Sequence, residues 1–312
     1  MKFNAYKLRE ISELIILFLL PFRLVFGVLT INGVHLSDCI PVSGDELWWW
    51  QQAAGTAAYG HPLGYFGYDG GTPQIGTFAT WGPFIVLPYA LWGKVFGWEY
   101  YSYIYANCFY MGAASVFFCI LLRMKTKRIW GIVAAECLMF VKIFFSATAM
   151  AECVRYALGI VAIALIFYLH ENKKRYWWIR YIVVPLYFFY ITLAYQIFAI
   201  FFFLWIFVLL EGKNKIFRWG AALGGMGAGL LISRNILHLF TSPYVASEEN
   251  AGILEKVKGN LIQLYQTLHT EDTFFAWYDI LILVLLILAI AGMFFGNKKE
   301  EKFSAFVEFI LL

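Results

Sequence analysis

Residues 82–97 read GPFIVLPYALWGKVFG. The stretch is apolar, but a helix needs about 20 such residues to cross the hydrocarbon of a bilayer. It also carries Pro83, Pro88, Gly93, Lys94 and Gly97. Whether it crosses decides on which side every later segment lies. Five basic segments settle the question: the N-terminus (Lys2, Lys7, Arg9), RMKTKR at 123–128, NKKR at 172–175, GKNKIFR at 212–218 and NKKEEK at 297–302. The positive-inside rule places all five in the cytoplasm, so an even number of crossings separates each neighbouring pair. Between Arg9 and Arg123 lie three apolar stretches, about 11–31, 83–97 and 100–122. Three crossings would put RMKTKR outside. The middle stretch is the shortest, and it is expected to be an interfacial or re-entrant helix on the outer side.

The same parity threads the remainder. Spans are expected at about 129–148 and 152–170, joined by a tight outer turn near SATAMAE. The apolar block 176–210 is too long for one helix and is expected to hold two spans with a turn near Thr192. Further spans follow at about 217–240 and 277–296, and a last one begins at Phe303 and is truncated at Leu312. Ten residues of helix reach only about 15 Å, half of the hydrocarbon, so the chain reads as an N-terminal fragment. The expected fold is an all-α polytopic membrane protein of about 8–9 transmembrane helices. It forms a single transmembrane domain with a large first extracytoplasmic loop, about 32–99, carrying short interfacial helices. A second outer loop covers about 241–276.

Composition agrees. The 312 residues are 62% hydrophobic, 20% aromatic and 14% charged, against about 25% charged in soluble domains. Continuous apolar runs, rather than alternating ones, speak against a β-barrel. The net charge of +4 comes from short loops between apolar runs, so no nucleic-acid partner is implied. Cys39, Cys108, Cys119, Cys137 and Cys153 have neither CxxC spacing nor a ligand cluster and read as small packing residues. Residues 11–31 are long, hold Pro21 and Arg23 and lack a small-x-small cleavage site, so they read as a retained first span.

The polar chemistry gathers in the two outer loops. PVSGDELWWWQQAA, residues 41–54, sets Asp45 beside Glu46 and follows them with three tryptophans. Gly44–Ala58 predicts a short helix on which Asp45, Trp48 or Trp49, and Gln52 share a face. A carboxylate, an indole and an amide on one face suit a sugar. Asp45 as an N-terminal cap and the tryptophans as an interfacial belt explain the same residues. Gly60 and the run HPLGYFGYDGGTPQIGTFATWGP, 61–83, interleave seven glycines with aromatics. Glycines permit tight turns and close approach, so this loop can line a pocket.

Two stretches carry a resemblance: SGDELWWWQQAAGTAAYGHPLGYFGYDGGTPQIG, 43–76, and WGPFIVLPYALWGKVFGWEYYSYIYANCFYMG, 81–112. An acidic pair shortly after the first span, then a proline-led apolar outer helix and a true span ending in basic residues, resembles the GT-C superfamily. Its members are polyprenyl-phosphate-sugar-dependent glycosyltransferases, such as the protein O-mannosyltransferases and the lipid A aminoarabinose transferases. The resemblance covers about residues 5–210. The familiar double proline before the outer helix is the single Pro83 here, and the later spans and soluble C-terminal region are absent.

The resemblance implies sugar transfer from a polyprenyl-phosphate donor to a lipid, glycan or protein acceptor, with inversion, at the outer face of a membrane. It makes Asp45 the general base. Glu46 would orient it, bind substrate or help hold a metal, or would be a solvated helix charge. The leaving phosphate needs cationic company. Glu152 and Arg155, at i and i+3, either bind it through Arg155 or simply neutralise each other. Arg234 and His238, at i and i+4 with Asn235 between them, either bind it or snorkel to the interface. His61 and Asp69 could ligate a divalent cation with Asp45, as in some members of the superfamily. Arg23, Glu136 and Lys142 lie within spans. Glu136 and Lys142, six residues apart, fall about 240° apart around a helix. An amphipathic helix at about 251–268, with Ile253, Val257, Leu261 and Leu264 or Tyr265 at helical spacing, is expected to roof the cavity. A transporter or flippase for lipid-linked sugars or polysaccharide is the competing class. It would concentrate ionisable residues at mid-membrane, on broken spans in two corresponding halves.

Overall fold

The computed structural model describes residues 5–38, 44–62, 78, 82–138, 146–172, 176–240, 258–259, 262, 284–293, 295 and 299–311. These are mostly helical. The chain divides into two compact units, Met1–Ala246 and Ser247–Leu312.

The first unit opens with helix α1, Ala5–Gly27, whose Leu, Ile and Phe residues suit a helix in an apolar medium. Two two-residue strands follow, β1 (Thr30–Ile31) and β2 (Val34–His35), paired antiparallel with Ile31 opposite Val34. Asn32 and Gly33 join them with φ of 52° and 81°. Two positive φ values in a two-residue loop are what an Asn-Gly hairpin requires. Helix α2, Gly44–Tyr59, stops at Gly60, whose φ is 80°. Helix α3 spans Leu87–Phe96, ten residues, about 15 Å long and too short to cross a bilayer. Helices α4 (Ser102–Leu121), α5 (Thr126–Leu138) and α6 (Glu152–Glu171) follow.

The apolar block after residue 176 is broken rather than continuous. A π-helical stretch, Ile179–Val183, runs into α7, Val184–Ala194. Tyr195 is extended, with φ −156° and ψ 111°, and a short 3-10 turn, Gln196–Ala199, leads into α8, Ile200–Leu209. The break lies at Ala194–Tyr195, two to three residues past the Thr192 expected from the sequence. Helix α9 is Lys215–Leu237, capped by Asn214, whose side chain accepts from the Ile216 amide.

Helix α4 is the centre of the unit. It packs on α1 and on α6. Its contact with α1 is close: a Cβ on Gly112 would run into the backbone of Phe18. Helices α2 and α3 pack on each other, and a Cβ on Gly93 would lie 2.9 Å from that of Ala57. Residues from α2, α3, the first turns of α4 and α6 and the end of α7 share one buried cluster: Trp49, Ala53, Phe78, Ile85, Val86, Tyr89, Tyr103, Ala106, Ala149, Ala151, Val154 and Ala194. The starts of α1 and α5 and the end of α4 meet at the opposite end, around Leu17, Cys119 and Ile129. There Glu13 accepts from Arg9 (3.0 Å) and from Trp130 (3.3 Å). The ends of α6 and α8 also come together, with His170 3.8 Å from Glu211.

Within the second unit, helices α10 (Val284–Met293) and α11 (Lys299–Leu311) come close where Gly292 faces Ala305. The expected amphipathic helix at 251–268 lies almost wholly outside the described residues, which show only 258, 259 and 262 as helical.

Among the described residues three helices are long and apolar enough to cross a membrane: α4, α6 and α9. Ile179–Ala194, Gln196–Leu209 and Val284–Met293 are apolar but shorter. This is fewer than the 8–9 spans expected. Helix α1 is long enough, with 23 residues, but it carries five charges. The expected span at 129–148 is described only as far as 138 and again from 146.

Candidate functional site

Helix α2 presents its acidic start to the same end of the first unit as the Glu152–Arg155 pair. The helix is buried on one side: Trp49, Ala53 and Thr56 recur at helical spacing and are buried, while Leu47, Gln51 and Ala58 are exposed. Glu46 falls on the buried side, 1% exposed, so it is not a solvated helix charge. A buried carboxylate demands polar company. The backbone of Asp45 belongs to α2, but its side chain lies outside the described residues, as do Asp69 and Lys142.

The tryptophans are packing elements rather than a lipid-facing belt. Trp49 is 4% exposed and meets Trp48 edge to face at 4.8 Å. Trp50 packs on Trp98 at 5.5 Å and its Nε1 donates to the Tyr100 carbonyl (3.3 Å). Gln52 is likewise buried. Among the described side chains singled out for a sugar, Trp48 alone is partly exposed. His61 is exposed beside Tyr59, with Nδ1 3.0 Å from the Pro62 carbonyl oxygen.

Arg155 is held from two sides. Its Nη1 donates to Glu152 Oε1 at 2.8 Å, and its guanidinium lies 4.5 Å from the centroid of the Tyr195 ring. The helix break at Tyr195 is what places that ring there. The two charges neutralise each other in part, and the Tyr195 ring face supports the same cation. Arg234, Asn235 and His238 are exposed at the end of α9, opposite the buried Ser233 and Leu237. That end lies near α3, because Phe78 donates to the Phe240 carbonyl (3.0 Å) and Phe84 meets the Phe240 ring edge to face at 6.0 Å.

Beneath these groups lies a polar network absent from the sequence reading. Tyr89 donates to Asn107 Oδ1 (2.6 Å), and Asn107 Nδ2 donates to the carbonyls of Thr148 (2.7 Å) and Ser146 (3.4 Å). Tyr89 also stacks on Tyr103 at 3.7 Å. Burial pushes the Tyr89 phenol well up, with help from Tyr103, Cys153 and Glu152, so it stays a neutral donor. Tyr110 and Tyr190 clasp the chain leading into α3 through the carbonyls of Pro88 (2.5 Å) and Phe84 (3.0 Å). The available signal was Asn107 itself, an amide within the apolar run YIYANCFYMG, and Gln196 beside Tyr195 in the block 176–210.

Two buried carboxylates lie outside this end. Glu136 accepts from Ser115, joining α5 to α4, and Glu13 joins α1 to α5. Arg23 is exposed on α1 and curls over Gly27. For a divalent cation, the described residues contain no group of three His, Cys, Asp or Glu side chains. The set proposed from the sequence is described only at His61, so no step below is routed through a metal.

No protein-family model, curated protein or solved structure matches the chain.

Proposed function

We propose that the chain is a membrane-embedded glycosyltransferase that moves a sugar from a polyprenyl-phosphate donor to an acceptor hydroxyl. The observation that carries this reading is the gathering, at one end of the first unit, of an acidic helix start, a buried carboxylate and a guanidinium braced by a tyrosine. In this reading α2 and α3 are interfacial helices of the first outer loop. The chain crosses the bilayer eight or nine times, with α7 and α8 among the spans and the N-terminus in the cytoplasm. Lys-rich loops and Phe- and Ile-rich spans suit a bacterial plasma membrane.

The chemistry needs few groups. The acceptor oxygen attacks the anomeric carbon as the bond from that carbon to the phosphate oxygen breaks. The acceptor proton passes to a carboxylate, Asp45 on the resemblance to the GT-C superfamily, with Glu46 orienting it from the buried side of α2. The bonding pair leaves with the phosphate, whose negative charge the Arg155 guanidinium stabilises. Arg234 adds a second positive charge and His238 a ring nitrogen for hydrogen bonding. Attack from the side opposite the leaving group inverts the anomeric centre. The acceptor is a lipid, glycan or protein hydroxyl, and the metal role proposed for some relatives stays open at Asp45, His61 and Asp69.

A transporter or flippase for lipid-linked sugars is the second reading. The helix break at Tyr195 and the buried carboxylates Glu13 and Glu136 favour it, because transporters build sites from broken helices and intramembrane charges.

Sugar transfer in membranes from labelled polyprenyl-phosphate sugars separates the two. Asp45→Asn should lower transfer about 10²–10⁴-fold, the usual weight of a general base, at matched expression. Arg155→Gln should also lower it. Unaltered transfer in Asp45→Asn removes Asp45 as the base. Translocation of the lipid-linked sugar without transfer, lost in Glu136→Gln, would establish the second reading.

A further inference from the structure

We propose that Asn107 is a positioning residue that fixes the Glu152–Arg155 pair relative to α2 and α3, an inference that rests on the glycosyl-transfer reading above. An asparagine inside an apolar helix is expensive unless its amide is satisfied, and Asn107 is fully buried. Its side chain bonds outside its own helix. Oδ1 takes the Tyr89 hydroxyl of α3, and Nδ2 gives its hydrogens to the Ser146 and Thr148 carbonyls. Residues 147–151 lie outside the helices, so the Asn107 amide ties down a turn through the Thr148 carbonyl and holds the residue before it through that of Ser146.

The main chain of Asn107 grips the same segment from the other side. Cys153 Sγ lies 3.5 Å from the Asn107 carbonyl oxygen and 3.5 Å from Ser146 Oγ. Glu152 and Arg155 flank Cys153 in the first turn of α6. Through Tyr89 the same amide reaches α3, which packs on α2 at Gly93 and Ala57. One side chain is thus the common reference for the acidic helix and the cationic turn. Asn107 touches no substrate in this scheme; it acts through Arg155.

The test uses the full chain in lipid nanodiscs, with Asn107→Leu removing every amide bond. Asn107→Asp is the second variant, keeping the shape and the acceptor toward Tyr89. Both should raise the KM for the polyprenyl-phosphate sugar about 10- to 100-fold, the scale of an ångström-sized misplacement, and leave the acceptor KM within about twofold. Tyr89→Phe keeps the Asn107 bonds to the Ser146 and Thr148 carbonyls and cuts the link to α3 and the 3.5 Å contact with the Met150 carbonyl, so it should raise the donor KM less than Asn107→Leu does. Amide hydrogen exchange should accelerate at 146–156 and stay unchanged across the α1–α4 contact. A folded Asn107→Asp protein with wild-type donor KM and wild-type exchange at 146–156 overturns the proposal, as does acceleration spread over all helices. Should the wild type transfer no sugar, the glycosyl-transfer reading fails. The exchange arm alone then decides whether Asn107 positions the turn.

Discussion

A carboxylate loses its water on burial and must find replacements. That requirement falls on Glu46, which turns to the packed side of α2 and is covered. At the rim of the same end, Tyr101 donates to Asp38 Oδ1 at 2.8 Å. This bond, then desolvation and the Asp38 charge, raise the Tyr101 phenol above its ordinary value. The sign follows. A raised folded pKa means that the bond stabilises fully below the unfolded phenol pKa, about 10. The contribution is lost as pH rises through the higher folded value. A difference titration of tyrosinate absorbance, wild type minus Tyr101→Phe, should place this phenol above free tyrosine, and Asp38→Asn should lower it. A Tyr101 that ionises at or below the free value would remove the bond. Single residues of this kind were poorly legible in the sequence. Asp38, Tyr89, Tyr101 and Tyr195 look like ordinary surface or span residues until a partner far along the chain is known.

Elements were more legible, because helix ends are written locally. Gly44 and Gly60 bracket α2, which the sequence places at 44–58, whereas α3 starts at Leu87, four residues into the 83–97 stretch expected. The face of α2 that carries Trp49 and Gln52 is buried, and Glu46 is buried with it. The break lies at Tyr195 rather than Thr192, beside Gln196, which interrupts the apolar block. The π-helical stretch at 179–183 left no trace at all. Helix contacts are a matter of shape, and glycines mark them. Gly112 brings α4 against the backbone of α1, where no side chain can move aside. Gly112→Leu should therefore destabilise by about 1–3 kcal/mol or more, the usual cost of overpacking, read as a lowered melting temperature in detergent. Gly131 in α5 has nothing within 4 Å of an added Cβ, and Gly131→Leu should melt like the wild type. Equal melting of the two variants would mean that α1 and α4 do not meet at Gly112.

At the scale of the molecule, the proposed topology hangs on α3. The first turns of α4 and α6 share one cluster with α2 and α3, so α4 and α6 run parallel and one return segment must lie between them. That is the role of α5. The end of α7 joins the same cluster, and the end of α9 reaches it through Phe240. The basic segments 123–128 and 212–218 lie at the far ends of these helices, as the positive-inside rule asks. An odd crossing at α3 would break this agreement, since its 15 Å cannot carry the chain between the faces. Single cysteines in a background lacking the five native ones test it in the full chain. His61, Glu99, Lys127 and Lys213 are all exposed and make suitable sites. A membrane-impermeant maleimide added to intact cells should label His61→Cys and Glu99→Cys, and should label Lys127→Cys and Lys213→Cys only after permeabilisation. Labelling that differs between positions 61 and 99 would make α3 a crossing. Asp45 and Arg155 would then lie on opposite faces of the membrane, and the shared site proposed for them would fall.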